Sequence, residues 1–308
     1  MDSPFNQNDN GSVMRPTMAE RRNLWRLLEM ARDEDLGSGD PTGALLGTDV
    51  RAESRFVPHQ PMIASGNELL EPIAAAYSGD IRTEVLVRDG RRVPPGEALA
   101  VWTGSARAIL AAERVALNFL QRLSGVATLT RQYVDAVAGT GAAIYDTRKT
   151  IPGWRELAKY AVRCGGGRNH RKGLWDAVLI KDNHLAIMAR AEGQDPIRAM
   201  ARELERVRPQ LGGYAFIMLE VDTLEQLVEA LKLDVDIIML DNMRSDLMRQ
   251  AVALRQQAGK AGRIDFEASG GITLATVRQV AQTGVERISV GAITHSAESV
   301  DIGLDFDI

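Results

Sequence analysis

The chain has 308 residues, 45% hydrophobic and 25% charged, enough to bury a large core as one big domain or two ordinary ones. A formal charge of −4 and a pI near 5.7 exclude a general nucleic-acid binder, so any cationic cluster must be local. Cys164 is the only cysteine, which excludes disulfide frameworks and cysteine-based zinc sites, and no apolar run approaches the ~18 residues of a membrane span.

The N-terminus has neither the cationic start nor the apolar core of a signal peptide, so the protein is expected to stay in the reducing cytoplasm. Residues 1–16 are polar and aperiodic, and read as a disordered tail. "TMAERRNLWRLLEMARDEDLG" then predicts a helix capped by Thr17, with Leu24, Leu27, Leu28 and Ala31 at helical spacing and a stop at Gly37. From Arg51 to Thr103 come short alternating runs ("ESRFVP", "IRTEVLV", "ALAVWTG") cut by Gly/Pro turns, with one helical insert, "NELLEPIAAAY". These predict a small α+β unit with a mostly antiparallel sheet. A long helical region follows, with Ile109, Ala112, Ala116, Leu120 and Leu123 in one apolar stripe and Arg114, Asn118 and Gln121 on another face. By itself Arg114 is an ordinary exposed helix arginine.

From Ala142 the rhythm becomes strand, then helix, repeated. "AAIYDTRK", "DAVLIKD", "YAFIMLEV", "VDIIMLD", "RIDFEASG" and "RISVGAI" are nearly continuous apolar runs, as parallel strands covered on both faces require. Several βα units in series mean a doubly wound sheet or an α/β barrel. Each run ends in ionisable or backbone-exposing residues: Arg148 and Lys149, Lys181 and Asp182, Glu220, Asp241 and Asn242, Glu267 with "SGG", and "VGA". That repetition puts cations, carboxylates and two glycine loops on one rim, the C-terminal face where barrel enzymes work.

The rim's chemistry follows from its parts. Ser269, Gly270 and Gly271, followed by a predicted helix, offer free N–H groups to a phosphate, and the turn at Gly291 can add a second set. Glu220 and Asp241 suit Mg²⁺ through oxygen or water, although two carboxylates can equally pair with local lysines. Arg148, Lys149, His170, Arg171 and Lys181 concentrate positive charge suited to a small polyanion, because guanidinium groups clamp carboxylates bidentately. The ligands expected from the residues are a phosphosugar with Mg²⁺ and a compact polycarboxylate.

"DTRKTIPGWRELAKYAV", "GGGRNHRKGLWDAVLIKDNH", "EVDT", "IMLDN", "EASGGI" and "ISVGAITHSA", in this order, resemble the quinolinate phosphoribosyltransferases, the carboxylating nicotinate-nucleotide pyrophosphorylases of NAD synthesis. "EDLGSGDPT" and "ERVALNFLQRLSGVAT" resemble the same family, so the likeness runs from Ala31 to the end. Ile151 and Trp154 depart from it, standing where Thr and Leu are more usual, and bear on pocket shape.

The resemblance implies an N-terminal α+β open sandwich (residues 17–128, joined by 297–308) and an irregular TIM-like α/β barrel of about seven strands (129–296). Only six strands are read directly, and a seventh is expected near "GRNH" or elsewhere. It implies a homodimer or higher oligomer in which one subunit's N-terminal region completes its partner's pocket. Quinolinate would then meet Arg148, His170, Arg171 and Lys181, with Arg114 reaching in from the partner subunit. The 5-phosphate of phosphoribosyl pyrophosphate would lie on Ser269, Gly270, Gly271 and Gly291 near His295. Its Mg²⁺-pyrophosphate would lie near Lys149, Glu220 and Asp241. Lys181 is left open between stabilising a carbanion and only binding carboxylate. Asn183 and His184 are read as orienting residues, His59 as an exposed loop residue, and Arg168 and Lys172 as pointing away. The alternatives are a molybdate-operon paralogue of the same fold, a sugar-phosphate lyase forming a Schiff base at Lys181, and a non-catalytic phosphate-ligand sensor.

Overall fold

The computed structural model describes residues 14–192, 196–210 and 212–307. They fall into two compact units. One takes the chain up to Thr128, Glu156–Gly166 and the segment from Ala297; the other takes Leu129–Arg155 and Gly167–Ser296.

In the first unit, helix α1 (Met18–Asp35) begins at a capping box. The Thr17 hydroxyl accepts from the Glu20 amide, and the Glu20 carboxylate accepts from the Thr17 amide at 2.7 Å. Glu20 is wholly buried there and also pairs with Arg163 at 2.6 Å. Strands β1 (Arg51–Pro58), β2 (Met62–Ile63), β3 (Arg82–Val85), β4 (Arg92–Val93) and β5 (Ala100–Ser105) follow, with helix α2 (Leu70–Tyr77) inserted after β2. The main sheet is antiparallel, in the order β12-β1-β5-β3, where β12 is the C-terminal strand Ile302–Asp307. Every second residue of β1 from Ser54 onward is buried, and Phe56 meets Trp102 edge to face at 4.8 Å. Helix α3 (Ala106–Ala136) buries the whole stripe Ile109, Ala112, Ala116, Leu120 and Leu123, and leaves Arg114 exposed.

Two boundaries differ from expectation. The sequence predicts 156–166 in the barrel; instead helix α4 (Arg155–Cys164) gives Tyr160 and Cys164 to a core with Ile63 and Ala127 in the first unit. An amphipathic helix shows that it needs a core, not which one. The expected tail is also shorter than 16 residues, because Met14 packs on that core and Pro16 is buried, while residues 1–13 lie outside the described ones.

The second unit holds β6 (Ala143–Tyr145), β7 (Val178–Ile180), β8 (Ile217–Val221), β9 (Ile237–Asp241), β10 (Asp265–Ser269) and β11 (Arg287–Ser289), one for each predicted run. All are parallel, in the order β6-β11-β10-β9-β8-β7. From β7 to β11 each strand lies beside the next in sequence, and the first strand, β6, pairs with the last, β11, which is barrel rather than doubly wound topology. The seventh strand is reduced to one parallel bridge, Tyr145 with Arg168, inside the "GRNH" stretch. The fold is thus an irregular α/β barrel with a separate N-terminal α+β unit. Helices α5 (Asp182–Glu192), α6 (Pro196–Val207), α7 (Leu224–Ala230), α8 (Ser245–Gln257), α9 (Val277–Ala281) and α10 (Ala292–His295) lie between and after the strands. Among the described residues no helix is long and apolar enough to cross a membrane.

The first unit buries an uncompensated carboxyl. Asp89 accepts from the amides of Gly66 and Asn67 and from the Tyr160 hydroxyl at 2.6 Å, yet burial outweighs these bonds and raises its pKa to about 6. The folded chain therefore holds a proton that the unfolded chain has released between about pH 4 and 6, and stability falls as pH rises through that window. Asp89→Asn should flatten this slope, which corresponds to about 3 kcal/mol for a two-unit shift. Melting curves of both proteins across pH 4–7 test this; a constant difference between them rejects the assignment.

Candidate active site

The C-terminal ends of the barrel strands carry most of the predicted residues. β6 leads to Arg148 and Lys149, the bridge at Arg168 to His170 and Arg171, and β7 to Lys181. β8 and β9 carry Glu220 and Asp241, and β10 and β11 lead to Ser269–Gly271 and Gly291. Arg114 stands on the exposed face of α3, in the first unit.

The cations are crowded. Burial, and then the nearby Arg148 guanidinium, push the Arg171 pKa below its ordinary value. Arg171 is 6% exposed and donates to the Ala177 carbonyl at 3.1 Å. Next to it His170 is equally buried, and its Nδ1 accepts the Arg171 amide at 2.7 Å. A backbone N–H can only donate, so the ring proton resides on Nε2, 3.3 Å from Glu267 Oε1. Both nitrogens of His170 thus face protein groups. His184, expected to orient, accepts the Lys181 amide on Nδ1 at 3.0 Å.

Glu267 is not on the rim. It is wholly buried inside the barrel, bonded to Arg287 Nε at 2.8 Å, and Arg287 lies over the Tyr145 ring at 3.7 Å. Burial alone would raise its carboxyl; His170 and Arg287 together outweigh burial and hold it at about 2. The alternative left open for the other carboxylates is realised at Glu220, whose Oε2 accepts Lys181 Nζ at 2.7 Å. Burial raises the Glu220 pKa against the effect of Lys181, and Asp241 and Asp182 add to the rise; Asp222 is raised by burial, Asp241 and Asp182. This side of the rim holds surplus negative charge, which fits a cation. Among the described residues no three His, Cys, Asp or Glu side chains have the geometry of a metal site. Any ion held by Glu220 and Asp241 must therefore keep water or phosphate ligands, the habit of Mg²⁺.

The glycine loops are built differently from expectation. No helix follows "SGGI" directly: Gly270 (φ 95°) and Gly271 (φ 59°) are both left-handed, and α9 starts only at Val277. The exposed amides there belong to a left-handed glycine pair, not to a helix N-terminus. A Cβ on Gly270 would lie 2.1 Å from Asn242 Oδ1, so the position admits only glycine. At the next loop a Cβ on Gly291 would lie 3.1 Å from both His295 Nε2 and Lys149 Cδ, so these three residues form one cradle. The Thr294 hydroxyl closes it by donating to the Lys149 carbonyl at 2.6 Å.

Three residues were given no role from sequence. Asp146, buried at the end of β6, accepts the His170 amide and Asn169 Nδ2, both at 2.8 Å. Asn242, left-handed at φ 51°, donates its amide to the Ser269 carbonyl and its side chain to Asp241. Arg287 is the third. Their common signal is a polar residue in or just after an apolar run.

Two family models cover the chain: the N-terminal domain of quinolinate phosphoribosyl transferase over residues 40–124 and its C-terminal domain over 126–305. The chain belongs to the quinolinate phosphoribosyltransferase family. It is 38% identical to the probable nicotinate-nucleotide pyrophosphorylase (carboxylating) of Bacillus subtilis, over 92% of this chain and 93% of that one. It is 39% identical to the nicotinate-nucleotide pyrophosphorylase (carboxylating) of Mycobacterium leprae, over 90% and 95%. The solved nicotinate-nucleotide pyrophosphorylase of Francisella tularensis superposes with a TM-score of 0.84 at 33% identity, covering 97% of this chain and all of that one.

In this family member, Glu267→Gln should strand Arg287 without its carboxylate and destabilise the fold by about 3–5 kcal/mol, measured by denaturant titration at pH 7. The depressed carboxyl also sets a sign: its contribution is complete above its unfolded value near 4.5 and disappears as pH falls toward about 2. A variant as stable as the wild type at pH 7 rejects this.

Proposed function

We propose that the chain transfers phosphoribosyl from 5-phosphoribosyl 1-pyrophosphate to quinolinate with decarboxylation, giving nicotinate mononucleotide, pyrophosphate and CO2. The observation that carries this is the division of the rim. One part presents an anion cradle of Lys149, Gly291, His295 and the Ser269–Gly271 turn; another presents Arg148 and Arg171. Lys181, paired with Glu220, stands on the acidic side. A phosphosugar and a vicinal dicarboxylate suit these two parts.

On this reading Arg148, Arg171 and Lys181 bind the two carboxylates of quinolinate, and His170 supports the Arg171 backbone. Lys149, Ser269, Gly270, Gly271, Gly291 and His295 hold the 5-phosphate and the adjoining diphosphate. Glu220 and Asp241 would hold Mg²⁺, which when bound neutralises the pyrophosphate leaving group. The pyridine nitrogen attacks ribose C1 as the C1–O bond to pyrophosphate breaks. The resulting pyridinium accepts the electron pair released at C2 when the carboxylate departs as CO2, and C2 then takes up a proton. The chain supplies position and charge, with no covalent nucleophile. Lys181 close to C2 would balance the transient negative charge there. A Schiff-base role for Lys181 is disfavoured, because an ammonium held by Glu220 at 2.7 Å has no free lone pair.

We further propose a homodimer in which the exposed Arg114 completes the partner subunit's carboxylate site, working in the cytoplasm. The buried thiol of Cys164, its pKa raised by burial, suits a structural residue in a reducing compartment.

Incubation with quinolinate, phosphoribosyl pyrophosphate and Mg²⁺ should release CO2 and nicotinate mononucleotide in equal amounts. Product formation from nicotinate but not from quinolinate defeats the decarboxylating assignment. Mixing inactive Arg114→Ala and Arg171→Ala subunits should restore up to about a quarter of wild-type activity, since random pairing makes half the dimers mixed and each carries one intact site. No recovery despite demonstrated subunit exchange rules out shared sites.

A further inference from the structure

Arg155 occurs in the "PGWRELAKYAV" motif without any role in the reading above. Its side chain reaches across two loops of the barrel unit. Nε donates to Thr150 Oγ1 at 3.3 Å, Nη2 to the Arg148 carbonyl at 3.4 Å, and Nη1 to the Lys172 carbonyl at 3.1 Å. The first two acceptors belong to the loop that carries Arg148. The third directly follows Arg171.

Each loop is braced within itself. Thr150 donates its amide to the Arg148 carbonyl at 2.9 Å, and Lys149 donates its amide to Thr147 Oγ1 at 3.0 Å. Across the gap, the Lys172 amide donates to Asp176 Oδ2 at 2.7 Å, and Arg171 Nη1 to the Ala177 carbonyl. Asp146 ties the start of the second loop to the end of β6, while Arg155 ties the loops further out, at the two ligand cations themselves. Such a tie has work to do. Burial, and then the Arg148 charge, lower the Arg171 pKa, so the two guanidinium groups repel across the gap that Arg155 spans.

We propose that Arg155 is a positioning residue that sets the spacing between Arg148 and Arg171, and so selects ligands with two carboxylates on adjacent ring atoms. All three of its nitrogens face protein acceptors, so it acts through those two arginines and not on the ligand. A planar guanidinium holds three acceptors in one fixed fork, which the point charge of a lysine cannot do. Ile151 and Trp154, the two departures from the family pattern, lie in the segment between Arg148 and Arg155.

The inference rests on the quinolinate reading, and the test separates the two. Wild-type protein, Arg155→Lys and Arg155→Gln are compared by kinetics with quinolinate and phosphoribosyl pyrophosphate, and by calorimetric binding of phthalate (adjacent carboxylates) and isophthalate (carboxylates one atom further apart). Wild type should prefer phthalate. Both variants should raise the quinolinate KM roughly tenfold or more, leave the phosphoribosyl pyrophosphate KM within about twofold, and bring the phthalate-to-isophthalate preference toward one. An unchanged preference in the variants overturns the positioning role. So does equal weakening toward both substrates, or failure of both variants to fold, either of which makes Arg155 a general structural residue. Wild-type protein that binds neither dicarboxylate and releases no CO2 from quinolinate instead overturns the functional reading.

Discussion

The candidate site depends on one buried carboxylate. Glu267 has no solvent exposure, and removing an ion from water costs several kcal/mol unless its oxygens are engaged. Arg287, its register partner on the neighbouring strand, occupies one oxygen and lies over Tyr145 of β6; His170 faces the other. The carboxylate thereby joins β10, β11, β6 and the loop that stands in for the missing strand. Its influence continues outward. With Nε2 turned toward Glu267, the imidazole has only Nδ1 to offer, and that atom receives the Arg171 amide. The direction of Arg171 at the rim follows from an ion pair within the barrel.

The rim above this layer is electrostatically unsatisfied. Arg148 and Arg171 crowd each other on one side; on another, burial first and then the neighbouring Asp241 and Asp182 raise the pKa values of Glu220 and Asp222. Like charges held together by a rigid scaffold weaken the unliganded state and strengthen binding of the opposite charge. The scaffold can hold them because each loop is tied by bonds that do not involve the ligand: Asp146 to His170, Thr294 to Lys149, Asn242 to Ser269.

How much of this was legible in the sequence depended on the range of the interaction. The six strands were readable because strands covered on both faces must be continuously apolar, and the α1 cap because its partners are three residues apart. The seventh strand was not, since "CGGGRNH" lacks an apolar run and pairs through a single bridge. A helix after "SGGI" was expected from periodicity, but the Thr273 amide donates to the Thr276 hydroxyl and that turn displaces the first helical residues. Glu267 read as a rim residue because strand ends are polar at the rim; only its contact with Arg287, twenty residues later, reveals that it faces inward. Local chemistry was legible, and pairing across strands was not.

The Lys181–Glu220 pair shows what such long-range pairing contributes. An ammonium and a carboxylate 2.7 Å apart cancel each other, with Glu220 buried and Lys181 44% exposed. On the proposed assignment, quinolinate provides a new anion for Lys181, and the metal-pyrophosphate provides a new cation for Glu220. Either ligand alone would take one partner and leave the other charge uncompensated in a partly desolvated place. Both together exchange one neutral pair for two. A coupling free energy between the substrates follows from that balance, favouring the ternary complex over either binary one. The same contact that neutralises Lys181 would on that assignment release it only when both reactants are present.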